Sequence, residues 1–479
     1  MTIVAIAVPS LTQEFQTIQD IGWYSSAYSL AAAAFIFLFG KAATVFPTKS
    51  VVLLGLVIFT VGSVIDTFAH TSMVFVLGRA VAGLGISSLA GGSNTILSHL
   101  FPKHRRSLWL GLASTAQSAG LVTGPVIGGA LIDKFGWRAC FGINIPLCPL
   151  CIAFAYFFLD DPVPTPGNDL PLKKKLVKLD PVGSMLVIPS IVSLLMALQW
   201  GSVRYGWEDA RIIALLCVFA VLFSGFLYVQ YKSGDQATVS FQILKRRGIL
   251  AGLYFAACVN GVLGTTEYYI SIYWQGVRGV SATQSGLLSA SMIGGLMVAS
   301  LVAGAGTDLI GYFTPFMLGT SLFAPIFSGL LTTIGDSQQV APVVIYSGFL
   351  GFGVGLGLMG PIQAVSFLLH PNEVSIGAAV TGFGGTIGSA LFLSVSATLF
   401  QSRLSAEILR YAPSTDLLRL ERAGLNNLRD VVAQEDLEAV LKAYGKAVDQ
   451  TLYLPLALSC ATIIGSAFME WPNVKKKEE

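Results

Sequence analysis

Charged residues are scarce in this chain, and their scarcity decides its class. Lys, Arg, Asp and Glu make up 11% of the 479 residues, whereas a soluble domain carries about 25%. Hydrophobic residues make up 54%, and the mean hydropathy is +0.71. So apolar a composition excludes a soluble globular protein and predicts a polytopic membrane protein embedded in a lipid bilayer.

Cysteine and histidine are also few, and neither is arranged for chemistry. The six cysteines fall in or beside apolar stretches, and the four histidines fall at helix ends or in loops. Neither set has the spacing of a metal site or a catalytic cluster, so we expect no metal, no cofactor and no enzymatic activity. The net charge is only +3, and the basic residues form short clusters between apolar runs. That pattern indicates membrane topology and not nucleic-acid binding.

Long apolar runs are the dominant feature of the sequence. Those long enough to cross a membrane are predicted as transmembrane helices, and they occupy residues 23–46, 51–69, 73–98, 107–132, 139–159, 181–200, 211–231, 249–275, 281–305, 312–333, 341–366, 374–401 and 449–469. The segment Met1–Pro9 is apolar but too short to span. We interpret it as the second half of a first helix that is incomplete in this sequence.

The loops predict an orientation and a domain order. Alternate short loops carry most of the Lys and Arg, as at Lys49, Arg105 and Lys173, so we place these loops and the carboxyl tail in the cytoplasm. The predicted order is an N-terminal helix bundle (1–159, first helix incomplete), a cytoplasmic linker (160–180), two extra transmembrane helices (181–231), a C-terminal bundle (249–401 and 449–469) interrupted by a long extracellular loop (402–448), and a cytoplasmic tail (470–479). Apolar residues at helical spacing predict short amphipathic helices in the extracellular loop.

The most specific local pattern is the stretch from Gly120 to Gly129, which reads GLVTGPVIGG. Gly120, Gly124 and Gly128 recur every four residues, so they share one helix face and allow another helix backbone to approach closely in lipid. Pro125 removes one backbone hydrogen bond, so this face should also be bent. The pattern fits a helix built to pivot, and it also fits ordinary tight packing of small residues.

The glycine-rich stretch resembles the antiporter motif GxxxGPxxGG of the major facilitator superfamily, within its fourteen-span drug:proton antiporters of the kind that filamentous fungi use to export secondary metabolites. The resemblance covers nearly the whole chain and places Gly120, Gly124, Pro125, Gly128 and Gly129 in the fifth helix. The segment from Arg79 to Gly85 resembles the fourth-helix motif of the family. Trp137 and Arg138 lie in a segment similar to its connection between helices five and six.

Two cytoplasmic loops keep parts of a family motif, and the resemblance makes the retained residues candidates for cytoplasmic gating. Gly40 and Lys49 remain in the first loop, where the usual aspartate and basic residues are missing. A charge-based latch is therefore not expected there. The second copy keeps Gly304, Asp308 and Gly311, but Tyr312 and Phe313 replace its expected basic pair.

The resemblance implies an all-α polytopic membrane protein with the major facilitator fold, in which two six-helix bundles rock about a midplane cavity and two extra helices pack peripherally. The implied activity is secondary active export of small amphiphilic molecules in exchange for protons, by alternating access. We expect a monomer in the plasma membrane. The polar candidates for the cavity wall are Tyr28, Gln117, Asn260 and Gln363.

Ionisable side chains inside spans are costly and need an explanation. Arg79 lies about a turn and a half into its helix, where it either reaches back to the interface or faces a polar cavity. Glu267 lies about two turns before the outer end of its helix, where it is either an interfacial carboxylate or a carrier of protons. Arg79 and Glu267 are our candidates for proton coupling. Asp66 is closer to a helix end, and we expect it to be solvated.

Two other functions on the same fold stay open. A vacuolar basic amino acid transporter would place the protein in the vacuolar membrane, and it would need more acidic residues in the cavity than Glu267. A membrane sensor that transports nothing is the second alternative, because a fold does not determine a function.

Overall fold

The computed structural model describes most of the chain. The described residues are 21–101, 103–159, 171–203, 205–234, 241–280, 282–334, 340–370, 373–413 and 434–473, together with Val4, Ala7, Ser10, Leu11, Glu14 and Phe15. Within them every regular element is a helix. The incomplete first helix predicted at Met1–Pro9 falls almost wholly outside these residues.

The helices follow the apolar runs of the sequence. In chain order they are α1 (Ile21–Val45), α2 (Thr48–Thr67), α3 (Ser72–Leu100), α4 (Lys103–Phe135), α5 (Arg138–Gly142), α6 (Asn144–Phe158), α7 (Leu172–Lys178), α8 (Pro181–Val203), α9 (Ala210–Ser233), α10 (Phe241–Leu244), α11 (Arg247–Ile272), α12 (Ala282–Ile310), α13 (Thr314–Leu331), α14 (Val340–Gly357), α15 (Gly360–Leu368), α16 (Val374–Tyr411), α17 (Gln434–Thr451) and α18 (Tyr453–Ala467). A π-helical turn, Tyr273–Val277, extends α11. We call α1–α6 the N-terminal group and α11–α18 the C-terminal group.

Helix length and composition agree with a membrane location. Among the described residues, 12 helical segments are long and apolar enough to span a bilayer. The predicted run 107–132 corresponds to α4, which is not among these 12 segments, although its 33 residues give a helix about 50 Å long, well beyond a hydrocarbon core of about 30 Å. Large apolar side chains such as Leu150, Phe154 and Phe157 are exposed, as expected where lipid replaces water.

Local sequence signals explain where several helices begin and end. The Thr71 hydroxyl accepts a hydrogen bond from the backbone N–H of Val74 (3.4 Å) at the start of α3. The Asp209 carboxylate accepts one from the N–H of Arg211 (2.8 Å) at the start of α9. Both side chains satisfy donors that a helix leaves open at its first turn. Gly311, with φ of +87°, makes the sharp turn between α12 and α13 that other residues disfavour.

The predicted loop 402–448 is helical where the structure describes it, as the spacing of its apolar residues predicted, and its helices continue the neighbouring long helices. Helix α16 runs for 38 residues to Tyr411, and α17 begins at Gln434 and leads directly into α18. Leu404, Ile408, Val440 and Ala443 pack between α16 and α17. The apolar faces of the two amphipathic ends bury each other, so both helices continue past the membrane-spanning part. Residues 414–433 lie outside the described part.

The two extra helices occupy different environments. Helix α9 is peripheral, with Val221, Tyr228 and Tyr231 exposed. The expectation of peripheral packing is wrong for α8, because its buried residues Val187 and Ile191 belong to an apolar cluster that also includes residues of α1 and α16. Helix α8 therefore bridges the N-terminal and C-terminal groups. Hydropathy predicted that this helix exists and gave no information about its neighbours.

Candidate functional site

The two helix groups meet closely at one end of the molecule, where α4 crosses α12. A Cβ placed on Gly304 would lie 2.9 Å from the carbonyl oxygen of Ser107 and 3.2 Å from the Cα of Gly111. Only glycines at these positions allow the two backbones to come so near. We call this the basic end, because the loops rich in Lys and Arg lie there.

Polar contacts reinforce the closure at the basic end. The backbone N–H of Leu108 donates to an Asp308 carboxylate oxygen (3.2 Å). The Ser114 hydroxyl lies 3.4 Å from that of Ser300 in a hydrogen bond. The Arg106 guanidinium donates to the carbonyl oxygen of Ser366 on α15 (2.9 Å). These bonds join the N-terminal half of α4 to two helices of the C-terminal group.

A second contact between the groups lies where α1 meets α16. A Cβ on Gly40 would lie 2.8 Å from the Cβ of Ala379 and 3.2 Å from the carbonyl oxygen of Ser375. The rings of Phe37 and Phe383 pack with centroids 4.8 Å apart. Gly40 thus allows a close approach between the groups, as Gly304 does on the other flank.

The hydrogen bonds that the structure gives for the other two gating candidates lie within their own helix groups. The Lys49 ammonium donates to the carbonyl oxygen of Tyr156 (2.8 Å), within the N-terminal group. Gly311 forms the turn after α12, and its N–H donates to the carbonyl oxygen of Thr307 (2.8 Å). The structure therefore brings Gly40, Gly304 and Asp308 to the contact between groups, and it places Lys49 and Gly311 beside that contact.

The opposite end of the same helix pair is open. A Cβ on Gly120 or Gly129 of α4, or on Gly286 or Gly294 of α12, would meet no described atom within 4 Å. The expected close approach of another helix to the glycine-rich face is therefore absent at Gly120 and Gly129. Helices α4 and α12 diverge beyond the contact of Thr115 with Met297, where the Thr115 hydroxyl donates to the Met297 carbonyl oxygen (3.5 Å).

The remaining residues of the glycine-rich stretch are partly covered. Gly124 is half-buried and Gly128 is buried, and the Gly128 carbonyl oxygen accepts a hydrogen bond from the Cys140 thiol (3.5 Å). Pro125 lies within the helix, but its side chain falls outside the described part.

A pocket lies between α11, α12 and α14, in the half of the C-terminal group away from the basic end. The pocket has a volume of about 70 Å³ and is lined by eight residues: Leu263, Glu267, Ile270, Ser289, Met292, Ile293, Leu296 and Ser347. That volume is small beside the roughly 300–1,000 Å³ of pockets that bury drug-sized ligands. Glu267 is the only charged side chain among these lining residues. Glu267 is one of the residues proposed from sequence for the cavity or for proton coupling, and the others are not among the lining residues of this pocket.

Arg79 and Asp66 form a buried ion pair in the N-terminal group. A guanidinium nitrogen of Arg79 lies 3.8 Å from an Asp66 carboxylate oxygen, and the side chains are 7% and 1% exposed. The Arg79 Nε donates to the carbonyl oxygen of Tyr24 (3.1 Å), and the guanidinium lies 4.5 Å from the centre of the Tyr28 ring. The expectation that Asp66 is solvated was wrong.

The geometry of two joined helices explains this pair. Helices α2 and α3 are connected by a short turn, so they run antiparallel side by side. Side chains point toward the N-terminus of their helix, so the long Arg79 side chain reaches back along α3 toward the end of α2, where Asp66 lies. Asp66 accepts no hydrogen bond from the described residues, so the Arg79 charge is its main compensation.

The other polar cavity candidates lie outside the pocket. Tyr28 lies beneath Arg79, and Gln117 is exposed on α4. The Asn260 amide donates to the carbonyl oxygen of Ala256 in its own helix (2.9 Å). Gln363 is buried in α15, 3% exposed.

Sequence reasoning missed Ser289 and Ser347 as pocket residues. Both are small polar residues inside apolar spans, and they share a wall with Glu267. Serine is too common in membrane helices to be selected on that ground alone, so only the packing of three helices identifies them.

Comparisons with known proteins identify the class that this helical architecture represents. The family model of the Major Facilitator Superfamily matches residues 1–393. The proton:xylose symporter XylE has a similar fold, with a TM-score of 0.59 at 13% identity, covering 96% of this chain and 90% of that one. The human organic anion transporter MFSD10 (TETRAN) gives 0.56 at 14%, covering 95% and 89%. At such identities these structures establish the fold alone.

Relatives of closer sequence come from fungi. The MFS-type efflux pump MFS1 of Trichophyton rubrum is 38% identical over 477 residues, covering 100% of this chain and 89% of the relative. Efflux pump roqT of Penicillium rubens is 37% identical over 476 residues, covering 99% and 88%. The aspyridones efflux protein of Neocamarosporium betae is 34% identical over 480 residues, covering 100% and 85%. The chain belongs to the Major Facilitator Superfamily, and the all-helical multi-pass fold predicted from sequence is confirmed.

Proposed function

We propose that this protein exports small amphiphilic secondary metabolites in exchange for protons by alternating access. The fungal relatives that match almost the whole chain are named efflux pumps, one of them for aspyridones. Their names support export as the direction of transport. The chemistry of the pocket supports an amphiphilic cargo, since five of its eight lining residues are aliphatic or thioether side chains.

The observation that carries the proposal is the asymmetry between the two ends of α4 and α12. The helices touch at Gly111 and Gly304 and leave Gly129 and Gly286, five turns along the same two faces, open. The closed end carries the basic loops, which the positive-inside rule assigns to the cytoplasm. On this proposal the arrangement faces outward, with its cytoplasmic entrance shut.

In the proposed alternating-access cycle, the glycine-rich face of α4 acts in the inward-facing state. When the cytoplasmic end opens, the outer ends of the two helix groups must approach each other. The face with Gly120, Gly124 and Gly128, bent at Pro125, then offers the thin surface that a close approach requires. This role explains why Gly120 meets nothing in the outward-facing arrangement.

Proton coupling would use the two intramembrane charge sites. Glu267 lies in the outer half, where a proton from outside can reach it. The Arg79 and Asp66 pair lies beside Tyr24 and Tyr28 on α1, a helix that contacts α16 of the other group. A proton that crosses the membrane inward releases about 2.3 kcal/mol per 100 mV of potential, which offsets the work of expelling cargo.

The finer classification is also part of the proposal. The thirteen long apolar runs and the helical residues Val4, Ala7, Ser10 and Leu11 fit a fourteen-span antiporter with two bundles and two extra helices. A plasma-membrane monomer suits export from the cell. A vacuolar carrier of basic amino acids is less favoured, because the pocket wall presents one carboxylate and a mostly apolar surface to a highly polar substrate.

Transport into inverted membrane vesicles tests the proposal. The full chain is expressed, and uptake of a hydrophobic dye is compared with uptake of arginine under an imposed proton gradient. We expect dye uptake that an uncoupler abolishes and no uptake of arginine. Uncoupler-resistant uptake would remove the proton from the mechanism. Uptake of arginine would favour the vacuolar carrier, and uptake of neither compound would favour a sensor.

A further inference from the structure

A buried polar cluster joins the two extra helices, α8 and α9, to α1 at the basic end. It consists of Lys41, Asp180 and Gln230, and we call it the anchor cluster. We infer that Asp180 is a positioning residue of the export cycle, which holds the α8–α9 pair to α1 through Lys41, so that the pair moves with the N-terminal group. The cycle itself rests on the proposed function, whereas the anchor is measured without transport.

Asp180 lies directly before α8 and uses both of its carboxylate oxygens. One accepts a hydrogen bond from the backbone N–H of Gly183 (2.8 Å), which satisfies an open donor in the first turn of α8. The other accepts from the side-chain amide of Gln230 on α9 (2.6 Å). A Cβ on Gly183 would collide with this carboxylate and lie 2.6 Å from the Gln230 amide nitrogen. One carboxylate therefore fastens the start of α8 to the last turns of α9.

The third member of the cluster comes from α1. The charge of Lys41 interacts with that of Asp180, and Lys41, Asp180 and Gln230 are 8%, 9% and 2% exposed. Buried charges are stable only where opposite charges or hydrogen bonds compensate them. Lys41 and Asp180 compensate each other across the boundary between α1 and the α8–α9 pair. Separating the pair from α1 would remove that compensation from both charges.

The backbone at Asp180 supports a role for its side chain. Its φ of +52° is the only positive φ at a non-glycine residue in the described part of the chain. Such a conformation persists where surrounding contacts fix it. Glycine adopts it without steric cost, so the turn alone does not require an aspartate. The carboxylate supplies what glycine cannot, two acceptors and a charge opposite to that of Lys41.

Helix α8 and the turn after it also contact α16 of the C-terminal group, but through neutral bonds. The Ser394 hydroxyl donates to the Leu198 carbonyl oxygen (2.8 Å), and the Trp207 indole donates to the Thr398 hydroxyl (3.0 Å). Neutral bonds are roughly half as strong as bonds to a charge, and Ser394 can donate to a carbonyl of its own helix instead. The apolar cluster around α8 includes both α1 and α16, so it favours neither. The contacts with α16 should therefore yield first.

Distances between spin labels test the inference in the purified full chain in nanodiscs, in a cysteine-free background. Tyr231→Cys on α9 and Leu54→Cys on α2 replace exposed residues. Their distance distribution should be narrow while the anchor cluster is intact. Asp180→Asn and Lys41→Met should each broaden it about twofold, because only non-directional apolar packing then holds the pair to α1. No broadening in either would overturn the inference. Broadening in Asp180→Asn alone would also overturn it, because Asp180 would then act only as a helix cap.

Two further variants control this measurement. Asp209→Asn removes the capping carboxylate of α9, which accepts from the Arg211 N–H (2.8 Å) at the other end of the same helix pair. It should leave the distribution unchanged, and an equal broadening would overturn the inference. The double variant with Lys41→Met and Asp180→Asn leaves neither charge without its partner, so it serves if a single variant does not fold. It should also broaden the distribution, and a narrow one would count against the anchor. Thermal melting shows which variants are folded.

Gly304→Trp tests which group the pair follows. The new side chain cannot fit against the Ser107 carbonyl oxygen, so the basic end must open. The distance from Leu54 to a third label at Leu322→Cys, an exposed position on α13, should then lengthen. The distance from Tyr231 to Leu322 should lengthen with it, and that from Tyr231 to Leu54 should not change. Any other pattern would overturn the inference, including an unchanged distance from Leu54 to Leu322, because the groups would then not separate at this contact.

The outcome is separable from that of the proposed function. Movement of the α8–α9 pair together with α2, without any export from vesicles, would retain the anchor and reject the transporter. Proton-driven export by a protein whose α8–α9 pair follows α13 would retain the transporter and reject the anchor.

Discussion

The two intramembrane charge sites differ in how their charge is compensated. Arg79 and Asp66 neutralise each other 3.8 Å apart with almost no exposure, and Tyr24 and Tyr28 complete the surroundings of the guanidinium. Glu267 stands in a pocket wall without a cation among its lining residues. A charge pair that is already neutralised stabilises the fold, or both of its charges change together. A charge without a partner can bind a ligand or a proton. The comparison predicts opposite responses to mutation.

The largest expected effect is on stability at the paired site. Arg79→Ala leaves Asp66 buried without compensation, which should destabilise the protein by about 3–5 kcal/mol. The double variant with Arg79→Gln and Asp66→Asn removes both charges and should be more stable than the single one. Thermal unfolding of the detergent-solubilised protein measures both. A single variant as stable as the native chain would mean that Asp66 has another partner.

Glu267→Gln should change transport and leave the thermal stability nearly unchanged. The side chain has no cationic partner in the pocket wall, so thermal stability should stay close to that of the native chain. Export driven by an imposed proton gradient should lose its pH response, because the amide cannot bind or release a proton. Dye uptake into vesicles at several external pH values provides the measurement. If the pH response persists at native strength, Glu267 does not carry the proton.

Asp308 represents an intermediate case, a charge at the contact between the helix groups. Asp308→Asn weakens the charge-assisted hydrogen bond from the Leu108 N–H, which should cost the closed basic end about 1.5–3 kcal/mol at most. The population with an open basic end should rise. Spin labels at Gly120→Cys and Gly286→Cys, in a cysteine-free background, should report shorter distances at the opposite end. An unchanged distance distribution would show that Asp308 does not stabilise the closed end.

The smallest effect is expected at an exposed pair outside the membrane. Glu14 accepts hydrogen bonds from Arg138 (2.6 and 2.9 Å) and from the indole N–H of Trp137 (2.7 Å). The bond from Arg138 lowers the pKa of Glu14 from its ordinary value. The pair therefore contributes stability above the unfolded pKa, about 4.3, and this contribution is lost as the pH falls through the lower folded pKa.

Melting temperatures of the native chain and Glu14→Gln test this prediction. At pH 7 the variant should be less stable by no more than about 1 kcal/mol, the usual range for an exposed pair. The difference should shrink as the pH falls below 4. A difference that grows on acidification would contradict the assigned direction.

The sequence predicted the features that depend on the composition of a single helix. It did not predict the features that depend on contacts with neighbouring helices. Apolar runs predicted the long helices, and the roles of Gly304 and Glu267 were proposed from sequence as residues worth attention. The burial of Asp66 was missed, because it depends on the reach of Arg79 from an adjacent antiparallel helix. Amphipathic helices were predicted within 402–448, but their continuity with the long helices was not, because it depends on α16 and α17 burying each other beyond the apolar runs.

Helix α8 constrains how cargo can leave. At one end its Leu198 carbonyl oxygen accepts a hydrogen bond from the Ser394 hydroxyl of α16 (2.8 Å), and its Trp200 ring packs edge-on against Trp23 of α1, centroids 6.2 Å apart. The helix thus covers the seam between α1 and α16 on its lipid-facing flank. In the proposed export cycle this cover would keep cargo from leaving sideways into the bilayer on that flank and direct it along the molecular axis.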